Sequence, residues 1–268
     1  MHDKELYLCP PTFLELKYEI NPWMDTSQPF SRARAREQWD GLVEIFRKLA
    51  PERVHIVPPR EGLVELCFLG DSVFTIGKKA VFGSFRHPER APERDYVVEQ
   101  MTARGFSGPI VPPGVYYEGS GETVLWRDLI LLGFGQRSNE DVMHLLEETF
   151  NRKVISFEMV LPEFYHLDTA IFPLDDNTLV YYPPCFGPID TATLKGLDCE
   201  LVAVTEDEAH AFACNSLVFE GRVLVNREAT SFIRTLEKRG WDVIPIEVSE
   251  FLKFGGGHKC LTLQNYQE

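Results

Sequence analysis

At 268 residues with 44% hydrophobic content, the chain is long enough for one large domain or two small ones with a sizeable core, which excludes a disordered chain. A formal net charge of -14 argues against a nucleic-acid binder, which would need Lys and Arg clustered on one face. No stretch approaches the roughly 20 apolar residues of a membrane span, and the start, Met1-His2-Asp3-Lys4-Glu5, lacks the pattern of a signal peptide. A cytoplasmic location is therefore expected.

Six cysteines, Cys9, Cys67, Cys185, Cys199, Cys214 and Cys260, lie scattered without a CxxC pair. Such spacing suits reduced thiols better than a disulfide framework or a structural zinc site. No metal or cofactor is expected.

In chain order, Arg32 to Leu49 reads as an amphipathic helix with Trp39, Leu42, Val43, Phe46 and Leu49 on one stripe, followed by a short strand at Val54 to Val57. The pattern returns with a helix over Glu93 to Ala103 and a strand at Pro109-Ile110-Val111. It returns again with Ser138 to Phe150, opened by a capping box of Ser138 and Asp141, before a strand over Val154 to Val160. Further helices are expected near Glu206 to Ala213 and over Arg227 to Arg239, the last followed by a strand from Trp241 to Val248. Hairpin turns precede most of these helices, near Gly77-Lys78, Arg127-Asp128, Asp175-Asp176-Asn177 and Glu220-Gly221.

A hairpin, a helix and a returning strand form a ββαβ unit, and about five such units fit the length. The first unit lacks a hairpin of its own, but Leu6-Tyr7-Leu8 can pair with the strand around Lys259 to Leu263 and close a ring. The expectation is an α/β fold, a five-bladed α/β propeller of pseudo-symmetric ββαβ units, in one domain over residues 1–268.

Four segments are hard to explain as scaffold alone. Gly255-Gly256-Gly257-His258-Lys259-Cys260-Leu261-Thr262 delivers a cysteine just after three glycines, which are costly to order unless the backbone bends or approaches something closely. Read alone, that segment is either a reactive thiol or a loose tail with a structural one. Tyr165-His166-Leu167-Asp168-Thr169 sets a histidine and an acid two apart, which on a strand aims both to one face. Tyr117-Glu118-Gly119-Ser120-Gly121-Glu122 places an acid beside a flexible turn, and Ile20-Asn21-Pro22-Trp23-Met24 holds a short amide that is either a contact or an Asx turn.

Together these segments resemble the guanidino-group-modifying enzymes of the pentein superfamily, which includes arginine deiminases, dimethylarginine dimethylaminohydrolases and amidinotransferases. The resemblance runs from Asn21 to Cys260 and rests on INPWM, GDSVFTIG at Gly70 to Gly77, FRHPERAPE at Phe85 to Glu93, YEGSGE, GQRSN at Gly135 to Asn139, YHLDT and GGGHKCLT. INPWM and FRHPER look most like the bacterial branch that contains the arginine dihydrolases.

The resemblance implies a hydrolase of guanidino or amidino C–N bonds in an arginine-like substrate. Cys260 is then the nucleophile, His166 the general acid and base, and Glu118 and Asp168 the carboxylates that hold the guanidinium. Arg90 and Arg137 match arginines that bind the amino-acid carboxylate, with Arg86 and His87 as second choices, and Asn21 matches a substrate contact. The family's further acidic or amide clamp falls on Gly77, which has no side chain, so Asn21, Asp71 or Glu122 would have to substitute for it. An amidinotransferase using an amine acceptor, or a non-catalytic binding propeller, stays open, and a homodimer is compatible with the chain.

Overall fold

The computed structural model describes residues 3–267, so Met1 and His2, which entered the reading of the N-terminus, lie outside the described residues. Fourteen strands are found among them: β1 (Lys4–Leu8), β2 (Val54–Ile56), β3 (Val73–Ile76), β4 (Lys79–Phe82), β5 (Thr123–Trp126), β6 (Leu129–Phe134), β7 (Lys153–Glu158), β8 (Ile171–Pro173), β9 (Thr178–Tyr181), β10 (Glu200–Ala203), β11 (Leu217–Phe219), β12 (Arg222–Asn226), β13 (Asp242–Ile246) and β14 (Leu263–Tyr266).

Their pairing repeats one plan. An inner strand runs antiparallel to its hairpin partner, a helix crosses over, and a third strand returns parallel to the second. β5-β6-β7, β8-β9-β10 and β11-β12-β13 follow this plan in three separate sheets. The remaining sheet, β2-β1-β14-β3-β4, holds two more units joined where β14 meets β3 at Tyr266 and Ile76. In one of them β14 and β1 pair across the two ends of the chain, Tyr7 opposite Leu263. The ring of five ββαβ units is therefore closed as expected, with the closing strand at Leu263–Tyr266 and Cys260 in the turn before it.

The helix Arg32–Leu49 forms where its stripe dictates, with Trp39, Leu42, Val43 and Phe46 buried and Ser31 capping through the Arg34 N–H. Two expectations are corrected and one helix is added. Pro109-Ile110-Val111 is not a strand but an isolated bridge of Ile110 to Phe82. Proline offers no N–H to a ladder, and Pro109, Pro112 and Pro113 leave this return with few donors. The helix placed at Ser138 begins at Val142, without a capping box. A helix at Pro188–Lys195 was not expected; it buries only Leu194 and so lacks a readable stripe, although Pro188 at its first position favours a start there.

Candidate active site

The inner strand of each unit is preceded by a turn, and the five turns carry the chemically distinctive buried side chains. Leu69–Ser72 leads into β3 with Asp71, and Gly119–Glu122 leads into β5 between Glu118 and Glu122. Leu167–Thr169 leads into β8 with Asp168, directly after His166. Asn215 precedes β11, and Cys260 precedes β14. All seven side chains are buried, Glu118 and Asn215 completely and Cys260 to 5% exposure.

The glycine turn is a packed wall rather than a loose tail. A Cβ on Gly256 would lie 2.9 Å from Phe68 and 3.3 Å from the Cys260 sulfur, and one on Gly257 would lie 2.7 Å from Asn215 Oδ1. Gly255 adds a positive φ of +79°, with Trp23 and Tyr165 against it. The sulfur of Cys260 stands 3.6 Å from Asp168 Oδ2 and 3.1 Å from Asn215 Nδ2. Burial, then the charges of Asp168 and Asp71, push the thiol well above its ordinary pKa, against the opposing pull of Lys259 and the Asn215 N–H. Lys259 Nζ lies 2.9 Å from Asp168 Oδ2, so one carboxylate oxygen is shared between the ammonium and the thiol.

His166 Nε2 donates to Glu118 Oε2 at 2.8 Å, and Arg137 Nη1 donates to the same oxygen at 3.1 Å. Burial alone would raise the Glu118 carboxyl, but Arg137 and His166 hold it well below the carboxylate range. Burial alone would likewise lower His166, and the Glu118 hydrogen bond with the charges of Asp71 and Glu118 raises it instead. Ser138, freed from capping, accepts the Glu118 backbone N–H at 3.0 Å and fixes this turn. The strand expected at Tyr165 to Thr169 is replaced by an extended His166 and a 3-10 turn at Leu167–Thr169, so strand alternation is not what aims His166 and Asp168.

Asp71 faces the same place. Its Oδ2 takes Arg90 Nη1 at 2.6 Å, whereas Oδ1, 3.9 Å from His166 Nδ1, is buried with no hydrogen-bond partner. Glu65, Phe68, Asp71, Arg90, Tyr165, His166, Phe254, Gly256 and Cys260 line a small cavity.

Gly77 is not part of this arrangement. It sits in the β3–β4 hairpin turn with φ +60°, its N–H donating to Tyr266 O at 2.7 Å. Because β3 carries the chain away from the site by about 3.3 Å per residue, the motif's acid at Asp71 reaches the cavity and its last glycine does not. Glu118 lies beside the cavity with its oxygens engaged by His166 and Arg137, and the acids lining the cavity are Glu65 and Asp71.

Arg90 lines the cavity but is held by Asp71 and Glu93 and stacked on Phe85, while Arg137 is held by Glu118 and the Ile20 carbonyl over the Tyr165 ring. Arg86 binds the carbonyls of Gly135 and Gln136. Asn21 makes the Asx turn to the Trp23 N–H and donates to the Phe254 carbonyl, bracing the wall at Gly255. His258 is committed to the Leu224 carbonyl, and burial pushes it down to about 4. The residues that sequence reasoning passed over are Glu65, Asn215 and Lys259. The Gly257–Asn215 contact joins positions 42 residues apart, and no local signal announces it.

The closed ring of ββαβ units with a Cys, His and carboxylate cluster on its axis defines a pentein of the guanidino-group-modifying type. The chain belongs to the family described as N,N dimethylarginine dimethylhydrolase, eukaryotic, whose model matches residues 18–266. Among curated relatives, it is 33% identical over 265 residues to the bifunctional arginine dihydrolase/ornithine cyclodeaminase AgrE of Nostoc sp., covering 96% of this chain and 37% of that protein. It is 32% identical to the N(G),N(G)-dimethylarginine dimethylaminohydrolase of Mycobacterium tuberculosis, covering 96% of this chain and 84% of that protein. The chain thus spans little more than a third of the bifunctional relative. In three dimensions it superposes with a TM-score of 0.94 and 30% identity on the product-bound N-terminal domain of ArgZ, an arginine dihydrolase from cyanobacteria, covering 99% of this chain and 98% of that one. No helix among the described residues is long and apolar enough to cross a membrane.

Proposed function

We propose that the chain is a single catalytic domain, working in the cytoplasm, that hydrolyses a guanidino C–N bond of an arginine-like substrate through a covalent intermediate on Cys260. The observation that carries this reading is the buried Asp71 Oδ1 without a partner, in a cavity shared with His166 and Cys260. An unpaired carboxylate oxygen in a closed site is costly unless a cation completes it. A guanidinium is the matching cation, because it presents a planar fork of N–H donors. The relatives named as an arginine dihydrolase and a dimethylarginine dimethylaminohydrolase act on such groups.

Asp71 and Asp168 would then hold the guanidinium edge and fix its carbon before the sulfur. Burial and the charges of Asp168 and Asp71 raise the thiol, and a bound guanidinium beside it offsets those charges, so that the thiol gives its proton to solvent water as the substrate enters. The sulfur attacks the guanidino carbon, and His166, kept charged by Glu118, protonates the departing nitrogen. The neutral imidazole left behind takes a proton from water, which attacks the amidino-thioether and frees Cys260. Arg90 and Arg137 are the cations available to a substrate carboxylate, Arg90 keeping Asp71 Oδ2 while Oδ1 takes the guanidinium. Asn21 supports the wall that faces this substrate.

The test is a panel of arginine, methylated arginines, agmatine and small guanidino acids, with ammonia and methylamine measured without added amine. Product without an acceptor supports hydrolysis. Product formed only with an amine present would make the protein an amidinotransferase, and ligand-induced stabilisation without any product would make it a binding protein.

A further inference from the structure

Four of the five pre-strand turns supply groups that act in the proposed reaction, namely Asp71, Glu118, the His166–Asp168 pair and Cys260. The fifth, leading into β11, supplies Asn215, which is wholly buried and stands two residues before its strand, as Asp71 does before β3. A buried amide at this point of the ring invites the question of what its N–H groups are for.

Its orientation is not free. The Gly257 N–H requires an acceptor and takes Asn215 Oδ1 at 3.1 Å, whereas the Asp168 carbonyl requires a donor and takes Nδ2 at 3.2 Å. Flipping the amide would set two donors together at Gly257 and two acceptors together at Asp168, so the network fixes which end is nitrogen. The nitrogen so fixed lies 3.1 Å from Cys260 Sγ. A side chain on Gly257 would collide with the amide oxygen at 2.7 Å, so the last of the three glycines makes room for this contact.

We propose that Asn215 is a positioning residue for Cys260, its amide N–H held on the sulfur by Gly257 and Asp168 so that the thiolate, once formed, has a donor in place. This rests on the reading of Cys260 as nucleophile. The charged or titratable groups around the sulfur are Asp168, Asp71, Glu65, His166, Tyr165, Arg90 and Lys259. Asp168, Asp71 and Glu65 oppose the thiolate, and Asn215 is the neutral donor placed directly on it. The same contact aims the sulfur, because the amide ties it to the backbone on both flanks, Gly257 on its own loop and Asp168 on the turn before β8.

The experiment is alkylation of Cys260 by iodoacetamide in the substrate-free full chain between pH 6 and 9, quantified by mass spectrometry on the peptide carrying Cys260. Asn215→Leu keeps the branching and adds no charge, and at a given pH its alkylation rate is expected to fall by about tenfold or more, the scale of a hydrogen bond to a charged group. Asn215→Asp retains the acceptor for Gly257 and serves if the leucine variant does not fold; the same fall is expected. A merely structural role predicts an unchanged or faster rate as the wall loosens, and that result in a folded variant overturns the proposal. Turnover by Cys260→Ser is measured alongside. If that variant is inactive and the Asn215 variants alkylate at the parent rate, only the role of Asn215 fails; if Cys260→Ser turns over normally, the nucleophile assignment fails first.

Discussion

His166 and Glu118 form a buried ion pair, Nε2 to Oε2 at 2.8 Å, in which the carboxylate is itself anchored by Arg137. The pair couples a proton donor to a fixed negative charge, both of them buried. It sets the expected behaviour of the imidazole.

Glu118→Gln should lower the His166 titration midpoint, followed by NMR of the ring protons, and reduce kcat/KM at neutral pH by about 10²–10⁴, the usual worth of a positioned acid or base. Stability depends on the same carboxylate. Because the folded Glu118 carboxyl lies below its ordinary value, its contribution is present above pH 4.5 and is lost as the pH falls. The stability gap between parent and variant should therefore narrow on acidification.

Asp71, and not Gly77, should control guanidinium binding. Asp71→Asn removes the charge from the unpartnered oxygen and should raise KM by about 10- to 150-fold, the range of one charge-assisted contact. Gly77→Asp lies in a hairpin turn at φ +60° and should cost about 1 kcal/mol of stability with substrate preference unchanged. Steady-state kinetics and thermal melts on the two variants check both halves. A gain of arginine activity in Gly77→Asp would contradict the placement of the clamp.

The architecture was legible because it is periodic. Trp39, Leu42, Val43 and Phe46 announce a helix by spacing, and glycine, asparagine and aspartate mark the hairpin turns at the positions observed. The site was legible as a set of residues and less so as a set of roles. Glu118, His166, Asp168 and Cys260 converge, but which carboxylate faces the cavity depends on who pairs with whom. Arg137 draws Glu118 aside, and Arg90 leaves Asp71 Oδ1 open. Asn215, Lys259 and Glu65 escaped notice because their meaning comes from partners far along the chain, as with Lys259 reaching Asp168. Gly77 misled because one short motif contains both an acid and a terminal glycine, and only the direction of β3 separates them.

Glu122 should make stability pH-dependent. Burial first, against the pull of His166, raises its carboxyl from an ordinary 4.5 to about 8, so the folded chain keeps a proton that the unfolded chain releases. Stability from this group falls as the pH rises through that window and levels off above it. Glu122→Gln cannot ionise, so it should match the parent near pH 4.5 and exceed it by a few kcal/mol near pH 8, at about 1.4 kcal/mol for each pH unit crossed. Denaturant melts at the two pH values measure the difference. A parallel pH dependence in parent and variant would show that Glu122 ionises freely in the fold.

The proposed chemistry stands on Cys260 as the nucleophile, bonded covalently to the guanidino carbon during turnover. Intact mass after acid quench, taken while an arginine-like substrate is being consumed, detects that bond, and peptide mapping locates it. An amidino adduct on the Cys260 peptide is expected in the parent, with neither adduct nor turnover in a folded Cys260→Ser. Undiminished turnover by Cys260→Ser, or an adduct on any of the other five cysteines in its place, would contradict it.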